Sequence, residues 1–380
     1  MKTILSRRFP VALALSTCLS VAIMLIAASG CGAASPPTPP PPKGFFGIDP
    51  QSGLTERDAE YMQAGGIETV RWPLSWSAVQ PTRTGGYDWS GFDQVVSTAS
   101  RHGLQVLPVV LETPRWLSKG TKLPIDSATA RLAWTQFLEA AVKRYGPGGE
   151  FWTTHAPGVV QYEPAIPTPV PIRNWQIWNE ANFFYFAYPV SPQRYARLLK
   201  LSAPAIKRVD PGAKVIMSGL FGKPSPKGAR GMPAVQFLEG VYRVPGIKSY
   251  FDGVALHPYA VDTETLEEMI EEFHEVTVKN HDRVPLYITE MGWGSQNDFN
   301  KVAFEQGIQG QVRELKGAYA YLLENRAKLN LKGVYWFAWK DLAGSCNFCD
   351  SVGLFRAGEK FKPKPAWRAF VGITRGSVRP

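Results

Sequence analysis

The chain has 380 residues, of which 44% are hydrophobic and 19% are charged. This length is enough for one large domain or two modest ones, and this composition supplies a sizeable buried core and excludes general disorder. The formal net charge is +10, but the positive charges are spread along the chain without a dense run of lysine or arginine, so nucleic acid is not predicted as a partner.

Residues 1–30 have the pattern of a secretory signal peptide. Lys2, Arg7 and Arg8 form a basic start, an uncharged apolar run continues to Ala28, and small residues lead to Cys31. A Gly-Cys pair after a small residue resembles a bacterial lipoprotein cleavage site, which predicts export and a lipid on Cys31 that holds the protein at the outer face of the cell membrane. Such sites usually carry leucine where Ala28 stands, so ordinary cleavage with secretion and an uncleaved anchor remain alternatives.

A proline-rich spacer follows the signal peptide. Residues 31–43 contain the run SPPTPPPP from Ser35 to Pro42. Proline runs cannot form a helix and adopt the extended polyproline conformation, which makes a stiff linker. We therefore predict a single folded domain over residues 44–380.

The folded part alternates short apolar runs with longer amphipathic stretches. The clearest helix spans Asp126 to Tyr145, Ser191-Pro192 has the pattern of a helix start, and Glu305 to Leu329 predicts a long helix before the last strand. The predicted strands are Phe45–Ile48, Thr69–Trp72, Gln105–Val110, Trp175–Trp178, Lys214–Ser218, Gly253–His257, Leu286–Thr289 and Gly333–Phe337.

Eight strand–helix repeats predict an α/β fold in which a parallel sheet closes into a (β/α)8 TIM barrel. An open, doubly wound sheet is the alternative. That fold normally carries a glycine-rich phosphate loop after its first strand, whereas this chain has Gly47-Ile48-Asp49-Pro50 there.

Two glutamates come directly after predicted strands. Glu180 follows strand four and Glu290 follows strand seven. A barrel of this kind builds its active site at the carboxyl ends of its strands. Cleavage of a glycosidic bond needs one carboxyl group to protonate the leaving oxygen and another to attack the anomeric carbon. The alternative is that both are salt-bridge residues on the rim.

Other strand ends carry side chains that suit the same site. Strand two ends Val70-Arg71-Trp72, and a buried arginine there would hold a carboxylate in its charged form. His257 and Tyr259 follow strand six and can hydrogen-bond a carboxylate or a sugar hydroxyl, although a purely structural histidine is the alternative. Strand eight offers Trp336 and Trp339, one of which is expected to form the floor of a sugar site.

The stretch Ile177–Glu180, together with Thr289-Glu290 and Trp339, resembles clan A of the glycoside hydrolases. The stretch from Arg144 to Gln176 is similar to family 39-like bacterial proteins, and family 5 enzymes share the general layout. The resemblance covers Phe45 to about Phe370, and it implies an O-glycosyl hydrolase on a TIM barrel.

The resemblance also implies residue roles. Glu180 matches the acid/base, Glu290 the nucleophile and Asn179 the residue that contacts the sugar 2-hydroxyl. Trp339 matches the platform under the reacting sugar. A supporting shell is implied for Arg71, His257 and Tyr259.

The sequence departs from the family pattern at two places that bear on specificity. Ala181 stands where many relatives have proline, and strand three runs into Glu112-Thr113-Pro114 without the histidine or asparagine that some families place there. The sugar, and the choice between internal and terminal cleavage, are expected to depend on the loops Glu112–Pro124, Phe151–Ile172, Phe183–Tyr188 and Gly344–Val352.

Two cysteines remain outside the N-terminal segment, Cys346 and Cys349. In an exported protein this C-x-x-C spacing favours a local disulfide. Two thiols are too few for a zinc site, and the five histidines contain no HxH pair, so neither a metal nor an organic cofactor is predicted.

These observations predict a membrane-tethered retaining β-glycosidase that acts on a poly- or oligosaccharide by double displacement. Its two carboxyl groups should lie about 5–5.5 Å apart. A catalytically inactive carbohydrate-binding surface protein and a transglycosylase with the same site are the alternatives. No protein partner is predicted.

Overall fold

A computed structural model describes residues 40–380, apart from 119–120, 160–164, 225–229, 298–302, 345, 347 and 359–360. The predicted signal peptide and Cys31 lie outside the described residues. Pro40–Pro380 form one compact unit. Among the helices of the described residues, none is long and apolar enough to cross a membrane.

The eight strands form a closed parallel barrel in sequence order, which confirms the predicted TIM barrel. Every predicted strand is present, with ends displaced by at most a few residues. The strands are β1 (Phe46–Asp49), β2 (Thr69–Ser75), β3 (Gln105–Leu111), β4 (Asn174–Ile177), β5 (Lys214–Phe221), β6 (Gly253–His257), β7 (Leu286–Met291) and β8 (Leu331–Phe337).

Helices follow the strands and cover the barrel. Short helices α2 and α5 add to the principal helix in two of the eight repeats. The helices are α1 (Glu56–Ala64), α2 (Trp76–Val79), α3 (Ser90–Arg101), α4 (Ala128–Tyr145), α5 (Glu150–Thr154), α6 (Pro192–Val209), α7 (Ala234–Tyr242), α8 (Thr263–Lys279), α9 (Gly307–Glu324) and α10 (Pro365–Thr374).

Local sequence signals set the helix starts. The Ser127 side chain accepts a hydrogen bond from the Ala130 amide and begins α4, and Ser191 does the same for Arg194 at the start of α6, with Pro192 in its first turn. The core lies between the barrel and these helices. It contains large buried rings, including Trp134, Phe137, Trp175, Tyr195 and Trp367.

Parallel strands place all their carboxyl ends at one end of the barrel, which we call the mouth. The connection from α4 to β4 lies at the opposite end, because it leads from a helix back to the start of a strand. The Ile172 amide and the Trp152 indole there both donate to the Tyr145 carbonyl, at 2.9 Å. The described parts of the stretch Phe151–Ile172, residues 151–159 and 165–172, therefore lie away from the mouth, and the prediction that they shape substrate choice is wrong.

Candidate active site

Glu180 enters the mouth through a distorted backbone. After β4 ends, Trp178 and Glu180 have φ values of 71° and 37°, in the left-handed region that residues other than glycine rarely adopt. The Trp178 indole donates to the Phe186 carbonyl at 2.7 Å, and the Glu180 amide donates to the Gly219 carbonyl at 3.1 Å. These contacts hold the turn, and the Glu180 side chain lies in the mouth, with 7% of the residue exposed.

Glu290, on β7, is hydrogen-bonded at both carboxylate oxygens. Arg71 Nη1 donates to Oε1 at 2.6 Å, and the Tyr259 hydroxyl donates to Oε2 at 2.7 Å. The residue is 7% exposed, so the ion pair with Arg71 lies in a region largely screened from water. The Glu290 carboxylate thus contacts a cation at one oxygen and a hydroxyl donor at the other, an arrangement that suits a nucleophile.

Arg71 organises the floor of the mouth. Its Nη1 also donates to Asp49 Oδ2 at 2.5 Å, its Nε to Gln176 Oε1 at 2.8 Å and its Nη2 to Asn179 Oδ1 at 2.7 Å. Burial opposes the charge on Arg71, but the carboxylates of Glu290 and Asp49 raise its pKa above the ordinary value. Burial also raises the pKa of Asp49 to about 6, an effect that the Glu290 charge adds to and Arg71 opposes.

A directional chain of hydrogen bonds leads from Arg71 to Glu180. Because Gln176 Oε1 accepts from Arg71, its amide nitrogen is the donor to Thr289 Oγ1, at 3.2 Å. The Thr289 hydroxyl then has its own proton to donate to His257 Nε2, at 2.9 Å. A neutral His257 that accepts at Nε2 has its proton on Nδ1, from which it donates to Glu180 Oε1 at 2.9 Å.

His257 takes part in these hydrogen bonds as a neutral imidazole, because burial lowers its pKa to about 4. Burial raises the pKa of Glu180 above its ordinary value, and the charge on Glu290 adds to this, while the hydrogen bond from His257 opposes it. The two glutamates thus differ in environment. Glu290 faces a cation and a phenol, whereas Glu180 faces a neutral imidazole and is suited to hold a proton.

Both carboxylates and His257 come close together. One oxygen of each glutamate and a nitrogen of His257 lie within 4.8 Å of one another. These are ligand types that a divalent cation uses. Arg71 donates to one oxygen of Glu290 and Tyr259 donates to the other. These contacts account for the position of the Glu290 carboxylate without a cation.

Trp339 does not lie at the site, and the prediction that it forms the sugar platform is wrong. It is fully buried among the outer helices, where its indole donates to Asp58 Oδ1 at 2.7 Å and its ring contacts Trp367 at 5.3 Å. Trp336 is fully buried as well. Phe337 lies on the mouth side instead, with its ring centroid 6.0 Å from that of Tyr259, because consecutive residues of a strand point to opposite faces.

We expect Trp339→Phe to lower stability and to leave catalysis unchanged. The substitution removes the indole donor to buried Asp58 and leaves a small cavity, at a cost of about 2–4 kcal/mol. Thermal unfolding should show the loss, while KM stays that of the wild type. Phe337→Ala should also lower stability, because this ring is buried, but it should in addition raise KM. A raised KM in soluble, folded Trp339→Phe would contradict the assignment.

The predicted disulfide between Cys346 and Cys349 is present. It closes a short loop after β8 that also carries Phe348. The Phe348 ring lies 5.3 Å from that of Tyr259, edge to face. The loop therefore supports the tyrosine that donates to Glu290.

Several site residues escaped the sequence analysis. Asp49 and Gln176 belong to buried strands. A polar residue within an apolar run needs a hydrogen-bonding partner, and this could have indicated both residues from the sequence. Gly219 gives space for His257, since a Cβ there would lie 1.9 Å from its Nε2. Glu112, named above only as the start of a loop, has a φ of 67° at the end of β3, and its carboxylate accepts from the Ser75 hydroxyl at 2.5 Å.

Residues 50–127 match the model of glycoside hydrolase family 42, described as beta-galactosidase. A search of curated proteins finds no match. Among solved structures, the chain is similar to a family 39 glycoside hydrolase from Bacteroides cellulosilyticus, with 21% identity and a TM-score of 0.64. The alignment covers 87% of this chain and 63% of that one, so this chain spans less than two thirds of that protein.

Two further structures share the fold. A monomeric beta-xylosidase from Caulobacter crescentus has 16% identity and a TM-score of 0.58 over 86% of this chain and 67% of its own. A xylanase from Cellvibrio japonicus has 16% identity and a TM-score of 0.60 over 87% of this chain and 98% of its own. The resemblance expected from the sequence is thereby confirmed: the chain has the fold of the clan A glycoside hydrolases, and its residues 50–127 match one of their families.

Proposed function

We propose that the protein is a retaining glycoside hydrolase that cleaves β-O-glycosidic bonds by double displacement. The observation that carries this proposal is the pair of buried glutamates at the ends of β4 and β7, whose nearest oxygens lie within 4.8 Å. Retaining enzymes place their carboxyl groups about 5–5.5 Å apart, whereas inverting enzymes leave about 6.5–9.5 Å for a water molecule. The short separation therefore supports retention.

In the first step, Glu290 attacks the anomeric carbon while Glu180 donates its proton to the departing oxygen. A covalent glycosyl-enzyme forms and the leaving group departs as an alcohol. Esterification of Glu290 removes its negative charge, which had helped to raise the pKa of Glu180. The pKa of Glu180 then falls, and the carboxylate is suited to take a proton from the incoming water in the second step.

The supporting residues position these two groups. Arg71 and Tyr259 lie on Glu290, and His257 lies on Glu180. Asn179 accepts from Arg71 through its side-chain oxygen, so its amide nitrogen is available to a sugar hydroxyl. Both carboxylates are present, and they lie in different environments. This argues against an inactive carbohydrate-binding protein, in which one of the two glutamates is expected to be lost.

A hydrolysis screen tests the proposal. Aryl β-glycosides of xylose, glucose, mannose and galactose are suitable, because related structures include a beta-xylosidase and an exo-beta-1,4-mannosidase, and the matched family model is described as beta-galactosidase. Proton NMR should show the β-anomer of the sugar as the first product. An α-anomer as the first product would exclude the double displacement, and no hydrolysis of these substrates or of their oligosaccharides would exclude a glycosidase.

We further propose that Cys31 carries lipid and that the protein stays with the membrane, facing outward. The Gly30-Cys31 pair and the proline spacer support this. Cys31→Ala should release the protein from the membrane fraction or block its processing, as fractionation and intact mass will show. Cys18→Ala is the control, since Cys18 belongs to the apolar run. Unchanged fractionation and unchanged mature mass for Cys31→Ala would refute the anchor.

A further inference from the structure

Exposed aromatic rings lie in the loop directly after Glu180. Tyr185 is 63% exposed, and Phe183 and Phe184 beside it are half-buried. The Tyr185 ring lies 4.2 Å from that of Phe184 and 5.1 Å from that of Phe183. Rings that form a contiguous patch of this kind mark a binding surface more often than a single exposed apolar residue does.

The loop that carries these rings is held in place. The Asn182 side chain donates to the carbonyls of Phe221 and Met232, at 2.7 and 2.8 Å, and accepts from the Phe221 amide at 3.0 Å. The Phe184 amide donates to the Arg230 carbonyl at 2.8 Å, and the Arg230 guanidinium lies 5.3 Å from the Phe184 ring centre. The outer ring, Tyr185, is thus presented on a preorganised loop, which lowers the entropic cost of binding a ligand.

The patch is continuous with the nucleophile. Phe183 stacks on Phe221 at the end of β5, with ring centroids 5.5 Å apart. The Phe221 ring lies 6.0 Å from that of Tyr259, whose hydroxyl donates to Glu290. We call Tyr259, Phe221, Phe183, Phe184 and Tyr185 the aromatic run. It extends from the nucleophile along the β6, β5 and β4 side of the mouth to the protein surface.

On the basis of the proposed function, we infer that the outer part of the aromatic run is the leaving-group subsite, and that it binds a β-linked pyranose ring against Tyr185. The acid/base must lie next to the oxygen that it protonates, so the leaving group occupies the side of the mouth where Glu180 lies. The loop that follows Glu180 is the element on that side. The C–H-rich face of a pyranose is apolar enough to pack on an aromatic ring, while its hydroxyls remain in water.

The rim at the ends of β2 and β3 differs in chemistry. The ends of β2 and β3 present the Ser75 and Ser77 hydroxyls, both of which donate to the Glu112 carboxylate. Such groups suit sugar hydroxyls and offer no aromatic face. The natural substrate is therefore an oligosaccharide, or the end of a polysaccharide, in which a sugar ring follows the scissile bond.

Three variants test the subsite. Tyr185→Ala removes the outer ring, Tyr185→Phe keeps it, and Tyr188→Ala removes a ring of the same loop that is 59% exposed and is not part of the aromatic run. The sugar is chosen from xylose, glucose, mannose and galactose as the one whose aryl β-glycoside the wild type hydrolyses. Each variant is then assayed on two substrates of that sugar, the β-1,4-linked disaccharide and the β-glycosyl fluoride. The fluoride shares the glycone but has no leaving-group ring.

Tyr185→Ala should lower kcat/KM about tenfold on the disaccharide. The fluoride rate, and both rates of Tyr185→Phe and Tyr188→Ala, should stay within about twofold of the wild type. An equal loss on disaccharide and fluoride would overturn the subsite, and so would an unchanged disaccharide rate in Tyr185→Ala.

Failure of the proposed function gives a separate result. If the wild type hydrolyses none of these glycosides, its intrinsic fluorescence is titrated with xylotetraose, cellotetraose, mannotetraose and β-1,4-galactotetraose. Binding that Tyr185→Ala weakens about tenfold and Tyr185→Phe retains would support the surface as a carbohydrate site without hydrolysis. The absence of binding, or equal binding by all variants, would overturn the inference.

Discussion

Glu290→Gln is expected to abolish turnover, with kcat/KM lower by at least about 10⁴-fold on an aryl β-glycoside. Glutamine has the same shape, and its single carbonyl oxygen can still accept from Arg71 while its NH2 group donates to the Tyr259 oxygen. A neutral amide cannot, however, attack the anomeric carbon. Asp49 remains 2.5 Å from Arg71, so the buried guanidinium still has an anionic partner, and the fold should survive. Circular dichroism and thermal unfolding check this.

Glu68→Gln is a suitable control for Glu290→Gln. Glu68 accepts from the Gly44 and Phe45 amides at the end of the barrel away from the mouth, so its loss tests the general effect of removing a carboxylate. Its kcat/KM should match that of the wild type. A folded Glu290→Gln protein with wild-type rates would show that Glu290 is not the nucleophile.

Small anions extend this test. In Glu290→Ala, azide can enter the space of the missing carboxylate and attack the anomeric carbon directly. This single displacement gives an α-glycosyl azide from a β-glycoside, with the configuration inverted. Recovery of the β-glycosyl azide instead would assign Glu290 to the acid/base position.

The sequence was sufficient to predict the barrel because its local signals and its overall order of strands and helices favour the same fold. The eight apolar runs, the helix start at Ser191-Pro192 and the alternation of elements all favour the same architecture. The two glutamates could be located as well, since a barrel places the ends of β4 and β7 at the same mouth.

Other features of the site could not be predicted from the sequence, because they depend on which way each side chain points and on the space between neighbouring strands. Trp339 and Phe337 lie two residues apart, and only the backbone after β8 decides which of them faces the mouth. Gly219 is required by the position of His257, a contact between β5 and β6 that no local pattern reveals. Asp49 ends β1, and its pairing with Arg71 depends on the register between β1 and the neighbouring β2, which no local pattern reveals.

Glu180→Ala should affect substrates unequally. A sugar hydroxyl is a poor leaving group and needs the proton of Glu180, whereas a nitrophenolate departs without it. The variant should therefore lose about 10²–10⁴-fold in kcat/KM on an oligosaccharide and far less on a nitrophenyl β-glycoside, since this parameter reports the first step. Equal losses on both substrates would argue against the acid/base role.

The pH profile gives a second readout of the same role. Burial, with the charge on Glu290, raises the pKa of Glu180. The first step needs Glu180 protonated, so wild-type kcat/KM should fall as pH rises through that raised pKa. Glu180→Ala has no such proton to lose, and this basic limb should be absent on the nitrophenyl substrate. If the limb persists unchanged in the variant, another group is the proton donor.

Glu180 also acts in the second step, where it takes a proton from water. In Glu180→Ala the glycosyl-enzyme should therefore accumulate on an activated substrate, visible as a burst of nitrophenolate and as added mass on the protein.

Azide needs no base, so it should speed release of the sugar from the glycosyl-enzyme of Glu180→Ala and give the β-glycosyl azide, with the original configuration kept after two displacements. The stereochemistry is thus opposite to that expected for Glu290→Ala. If the two variants gave each other's azide products, the roles of Glu180 and Glu290 would have to be exchanged, and a lack of any azide effect in Glu180→Ala would remove its assignment as the acid/base.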